Sequence, residues 1–143
     1  MDLMIYPIAY NLRHGIELYL KHFCRTLPTL WESQEHAKPS HKLLDNWAIV
    51  KEYVSRDSYF SLGSDAIDLV ERIIKDVVEI DPSGEIFRFP YSKKHDLHLA
   101  EQSLINVLVL ESAIGELLDV FVRWDHIYDD RMEYINEYRR SQV

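Results

Sequence analysis

Six side chains have the types and spacings that proton and phosphate chemistry uses: Arg13, His14, Glu17 and Lys21 in NLRHGIELYLKHF, and Arg88 and His95 in RFPYSKKH. On a helix, Asn11, His14, Glu17 and Lys21 share one side, because steps of three and four residues return to the same face. A histidine beside a carboxylate is held in one tautomer and is poised as an acid or base near neutral pH. Arg13 stands four residues before Glu17, within pairing reach. The same stripe also reads as the wet side of an amphipathic helix, in which Glu17 and Lys21 form an i,i+4 pair worth about 0.2–0.5 kcal/mol and His14 closes a hydrogen bond to another helix. Both readings stand at this level.

In RFPYSKKH an arginine that neutralises phosphate is followed by a histidine that moves a proton, the division of labour of a metal-independent ribonuclease. Pro90, inside that interval, opposes a continuous helix. His95, His98 and Glu101 form one possible metal-ligating group, and Asp125, His126, Asp129 and Asp130 another. Neither reads as the paired Glu-x-x-His motifs of helical metal sites, so capping and solvated charge are the expected roles and no metal or cofactor is called for. No phosphate-binding loop, dinucleotide turn, nucleophile elbow or HExxH helix occurs. Cys24, the one cysteine, has no evident activating partner and reads as a small core residue.

These groups need a scaffold, and the composition supplies a helical one. The chain has 143 residues, 47% of them apolar and 28% charged, with four Gly and five Pro, which suits a single helical domain over residues 1–143. The net charge of −8 opposes a broad basic surface for a phosphate backbone. A single cysteine fits a reducing compartment, and neither a secretory leader nor an apolar run of membrane-spanning length is evident, so the expectation is a soluble, cytoplasmic protein with no membrane partner.

Turn signals divide the chain into four helical pieces. The first runs from about Pro7 to Thr26 with Ile8, Leu12, Ile16, Leu20 and Phe23 as its apolar seam. A connector follows, with a short turn of helix around Leu30 and Trp31. The second piece takes Ser40 as N-cap and Leu43, Leu44, Trp47, Val50 and Val54 as its stripe. The third takes Ser64 as N-cap and buries Ile67, Val70, Ile74 and Val77 before DPSG. EIFRFPYSKK reads as a short extended loop. The last piece, from about Asp96 to Arg139, contains no proline and either continues straight or bends near Asp129. An all-α bundle of four to five helices with a long C-terminal helix and an extended FRFP loop follows.

LRHGIELYLKHF in the first helix, HKLLDNW opening the second and DPSGEIFRFP after the third together resemble the HEPN-like proteins of prokaryotic toxin-antitoxin and defence systems. The resemblance implies a four- or five-helix bundle, a homodimer with a cleft between subunits and, in active members, metal-independent RNA cleavage by an Arg-x4-6-His motif near the start of a late helix. Arg88 with His95 is the nearest match to that motif, although Pro90 lies inside the interval and Phe89 replaces the usual polar residue after the arginine. The resemblance also places Arg13, His14 and Glu17 beside Arg88 in one cleft, with Lys21 on the same stripe. Arg88, His95 and His14 are then the candidate catalytic residues, and Arg13, Glu17 and Lys21 the candidate binding residues. The implied partners are a second copy of the chain, RNA or a nucleotide, and an antitoxin protein. The competing expectation is a noncatalytic dimeric scaffold for RNA, nucleotide or protein, with Tyr128, Tyr134 and Tyr138 of the last helix as interface residues.

Overall fold

A computed structural model describes residues 5–32, 38–81 and 101–142. They form four α-helices, α1 (Ile5–Thr26), α2 (Leu43–Val54), α3 (Ala66–Ile80) and α4 (Glu101–Ser141), with no strand among the described residues. Two short 3-10 helices, Leu27–Trp31 and Ser58–Ser61, fill turns after α1 and α2. α1 packs on α2 and α4, and α3 packs on the same two, so the four helices close a ring around one core. The all-α bundle with a long last helix is thus observed; the FRFP loop, Arg88 and His95 lie outside the described residues.

The apolar periodicity explains the ring. Ile16, Leu20 and Phe23 of α1 are fully buried, as are Val50 and Val54 of α2 and Val70, Ile74 and Val77 of α3. Leu44 departs from the expected stripe: it is 40% exposed, because α2 turns Leu43 and Trp47 inward instead. Pro7 sits in the first turn of α1, where its missing N–H breaks no intrahelical bond. The helix gives way to 3-10 geometry at Leu27, with Pro28 in its opening turn, and Glu32 closes this turn in the left-handed conformation, φ 54°. The expected short turn at Leu30 and Trp31 is this 3-10 helix.

Neither serine caps its helix. Lys42, not Ser40, is the N-cap residue of α2. Ser40 is instead clamped by the buried Asn46, whose side chain accepts from the Ser40 N–H and donates to the Ser40 carbonyl, both at 2.8 Å. At α3 the N-cap position belongs to Asp65; Ser64 stands one residue before it, its N–H donating to the Ser61 carbonyl at 3.0 Å in the preceding turn.

Trp124 is the hub of the core. Its ring lies parallel to Trp47 with centroids 6.2 Å apart and meets Phe23 and Phe60 edge-on, while its Nε1–H donates to the Phe60 carbonyl at 2.7 Å. This one residue joins α1, α2, α4 and the 3-10 turn at Phe60, and it satisfies its own polar atom. α4 runs unbroken past Asp129 to Ser141, about 60 Å at 1.5 Å per residue. Several side-chain contacts among the described residues tie its far half to the body. The Tyr128 hydroxyl meets Thr29 Oγ1 at 3.2 Å, Arg131 Nε donates to Asp57 Oδ2 at 3.1 Å, and Arg139 reaches Glu32 at 3.1 Å.

Candidate functional site

The polar stripe of α1 is split by the fold. Arg13 is only 6% exposed; its Nη1 lies 3.7 Å from Glu17 Oε2 and its Nε 3.8 Å from Oδ2 of Asp81, the wholly buried residue that ends α3. These are ion-pair contacts longer than hydrogen bonds, and among the described residues the buried Arg13 Nε has no hydrogen-bond partner. Lys21 Nζ donates to Glu17 Oε1 at 2.8 Å, and His41 Nδ1 comes within 3.7 Å of the same oxygen. Burial is the largest influence on the Glu17 carboxyl and pushes its pKa up, but the Lys21 hydrogen bond together with the charges of Lys21, Arg13 and His14 outweighs it and holds Glu17 below its ordinary value.

His14, beside Arg13 in sequence, is exposed and lies flat against the Tyr10 ring, centroids 5.8 Å apart and planes 9° off parallel. Among the described residues it makes no hydrogen bond to another helix; stacking on its own helix orients it instead. The structure therefore brings Arg13, Glu17 and Lys21 together with two residues that periodicity does not reveal, Asp81 and His41. Among the described residues the group holds two full cations, Arg13 and Lys21, and two carboxylates, Glu17 and Asp81. Within that group these contacts tie the end of α3 to α1 and engage both cations with carboxylates. The relation of this stripe to Arg88 and His95 lies outside the described residues.

A second pairing escapes sequence reasoning because its members are far apart in the chain: His22 Nε2 lies 2.8 Å from Asp125 Oδ1, joining α1 to α4 at a half-exposed position. Asp125 thus serves a contact between helices, while His126, Asp129 and Asp130 point to solvent. Among the described residues no group of three His, Cys, Asp or Glu side chains is arranged to hold a metal ion. Cys24 is buried, and burial raises its thiol pKa to about 11, which leaves it protonated and unreactive near neutral pH. No helix of the described residues is long and apolar enough to cross a membrane.

No family model, curated protein or solved structure matches this chain. Its chemistry is therefore read from its own residues. What they offer is an ion-pair cluster between α1 and the end of α3, an exposed histidine on a tyrosine, and a long helix whose last turns expose Tyr134 and Tyr138, 70% and 59% accessible. Tyr128, one turn or more earlier, is half-buried and spends its hydroxyl on Thr29 within the chain.

Proposed function

We propose that this protein is a HEPN-like component of a prokaryotic toxin-antitoxin or defence system, and that it works as a noncatalytic, dimeric protein-binding scaffold. The observation that carries the noncatalytic reading is the position of Arg13. Its guanidinium is withdrawn between Glu17 and Asp81, so the strongest cation of the stripe is spent inside the protein and cannot grip a phosphate. The −8 net charge argues for protein over polyanion as the partner. Exposed Tyr134 and Tyr138 supply the large, rigid, amphipathic surface that protein interfaces favour.

The test is incubation of the purified chain with RNA in the presence of chelator, beside Arg88→Ala and His95→Ala variants, with sedimentation velocity on the same samples. The expected outcome is intact RNA and a dimer. Cleavage by the wild-type chain that both substitutions abolish would replace this reading with a metal-independent endoribonuclease using Arg88 and His95, with His14 as a further candidate base. A monomer at all concentrations removes the dimeric part of the reading.

A further inference from the structure

An open groove of about 550 Å³ runs between the start of α3 and the middle of α4. Its apolar side is formed by Leu62, Leu69 and Val120, and its rim carries Asp65, Glu116 and Asp119. The three carboxylates are exposed, whereas Val120 is 7% exposed and Leu62 and Leu69 are half-buried against the core. The cation on this rim, Arg123, is answered by Asp119 at 3.9 Å, so the groove keeps a negative surplus.

Gly115 lies on the same wall. A Cβ built there meets nothing within 4 Å. A glycine inside a helix costs about 1 kcal/mol relative to alanine, and no neighbouring atom within the described residues requires it here. A missing side chain at this point lets another backbone come close, which is how small residues shorten the distance between packed helices. Val122, 41% exposed on the next turn but one, extends the apolar surface beyond the groove.

We infer that this groove is a docking site for a basic amphipathic helix of a partner protein. Apolar side chains of that helix would lie on Leu62, Leu69 and Val120, its backbone would cross closest at Gly115, and Lys or Arg side chains on its flanks would face Asp65, Glu116 and Asp119. The choice of occupant follows from charge. A second copy of the α4 face would bring Glu116, Asp119, Asp129 and Asp130 against their own kind, and a nucleic acid would meet the same repulsion. The inference rests on the protein-binding reading above and gives it a surface and a partner chemistry.

The probe is a fluorescein-labelled helical peptide with leucines on one face and lysines on the other, followed by fluorescence anisotropy, beside the same peptide with glutamates replacing the lysines. The wild-type chain is expected to bind the lysine peptide saturably, more weakly as salt is raised, and to ignore the glutamate peptide. Gly115→Trp, which fills the groove from an open position, is expected to weaken binding roughly tenfold or more, and Glu116→Lys with Asp119→Lys about as much, with helical circular dichroism retained and Tm not lowered. Equal binding of both peptides, or binding that neither variant weakens, overturns the inference. So does a wild-type dimer that Gly115→Trp converts to monomer, which assigns the groove to a second copy. A chain that ignores the peptide while Gly115→Trp lowers its Tm assigns the groove to a segment of the same chain and overturns it equally. RNA cleavage in the earlier assay would remove the noncatalytic reading whatever the peptide does, whereas absent cleavage with absent peptide binding removes only the groove.

Discussion

Arg13 Nε stands 3.8 Å from Asp81 Oδ2, and the two residues are 6% and 0% exposed. One comes from the middle of the first helix and the other from the end of the third, so the pair joins two elements that the chain does not connect locally. Buried opposite charges seldom add much net stability, but removing one partner leaves the other less compensated in a medium that solvates it poorly.

Arg13→Ala is therefore expected to lower the unfolding free energy by about 3 kcal/mol, read from urea midpoints at constant m-value. The paired change Arg13→Met with Asp81→Leu should cost less than the sum of Arg13→Met and Asp81→Leu. Additive losses in this cycle would mean that the two side chains do not interact in solution.

Acid should loosen the same region. Glu17 and Glu71 both titrate below their ordinary value of 4.5. In Glu17 the Lys21 hydrogen bond and neighbouring cations overcome the upward push of burial. In Glu71 the hydrogen bonds from Lys51 and from the Trp47 indole dominate. A carboxyl with a depressed folded pKa stabilises the protein above its unfolded pKa, and that contribution is lost as pH falls from about 4.5 through the folded value. Urea midpoints should fall over this range, and Glu17→Gln with Glu71→Gln should flatten the decline while lowering stability at neutral pH. An unchanged slope in the double variant would show that other carboxylates govern acid unfolding.

Trp124→Ala should be among the most damaging single changes, costing about 4 kcal/mol through lost burial and a cavity. Trp124→Phe keeps an aromatic ring but removes the 2.7 Å donor to the Phe60 carbonyl together with part of the buried volume, for an expected loss of about 1–3 kcal/mol from the hydrogen bond and a further cavity cost. Thermal melts followed by circular dichroism measure both. A phenylalanine variant as stable as the wild type would show that water takes over the carbonyl.

The helices and their inward faces were readable wherever apolar residues recurred at helical steps, as with Ile16, Leu20 and Phe23 or Val70, Ile74 and Val77. The two predicted serine caps failed for a physical reason. A cap depends on where the preceding loop leaves the side-chain acceptor: Ser40 Oγ accepts from the Lys42 N–H at 3.0 Å in a loop clamped by Asn46, and the turn through Ser61 starts the third helix one residue after the position Ser64 would need. The continuity of α4 beyond Asp129 was open for a similar reason: no local residue breaks it, but Thr29, Asp57 and Glu32, all distant in the chain, hold it against the body.

What the amino-acid order determined by itself was the helical character, the apolar seams and the i,i+4 pairing of Glu17 with Lys21, because each depends on residues within a turn or two of one another. What tertiary structure decided was the fate of adjacent polar residues on the same helix: Arg13 turned inward and His14 outward. Periodicity marks a side of a helix, but it cannot say where the end of α3 will bring a buried carboxylate, and it is Asp81, arriving from there, that gives Arg13 an anionic partner in the interior.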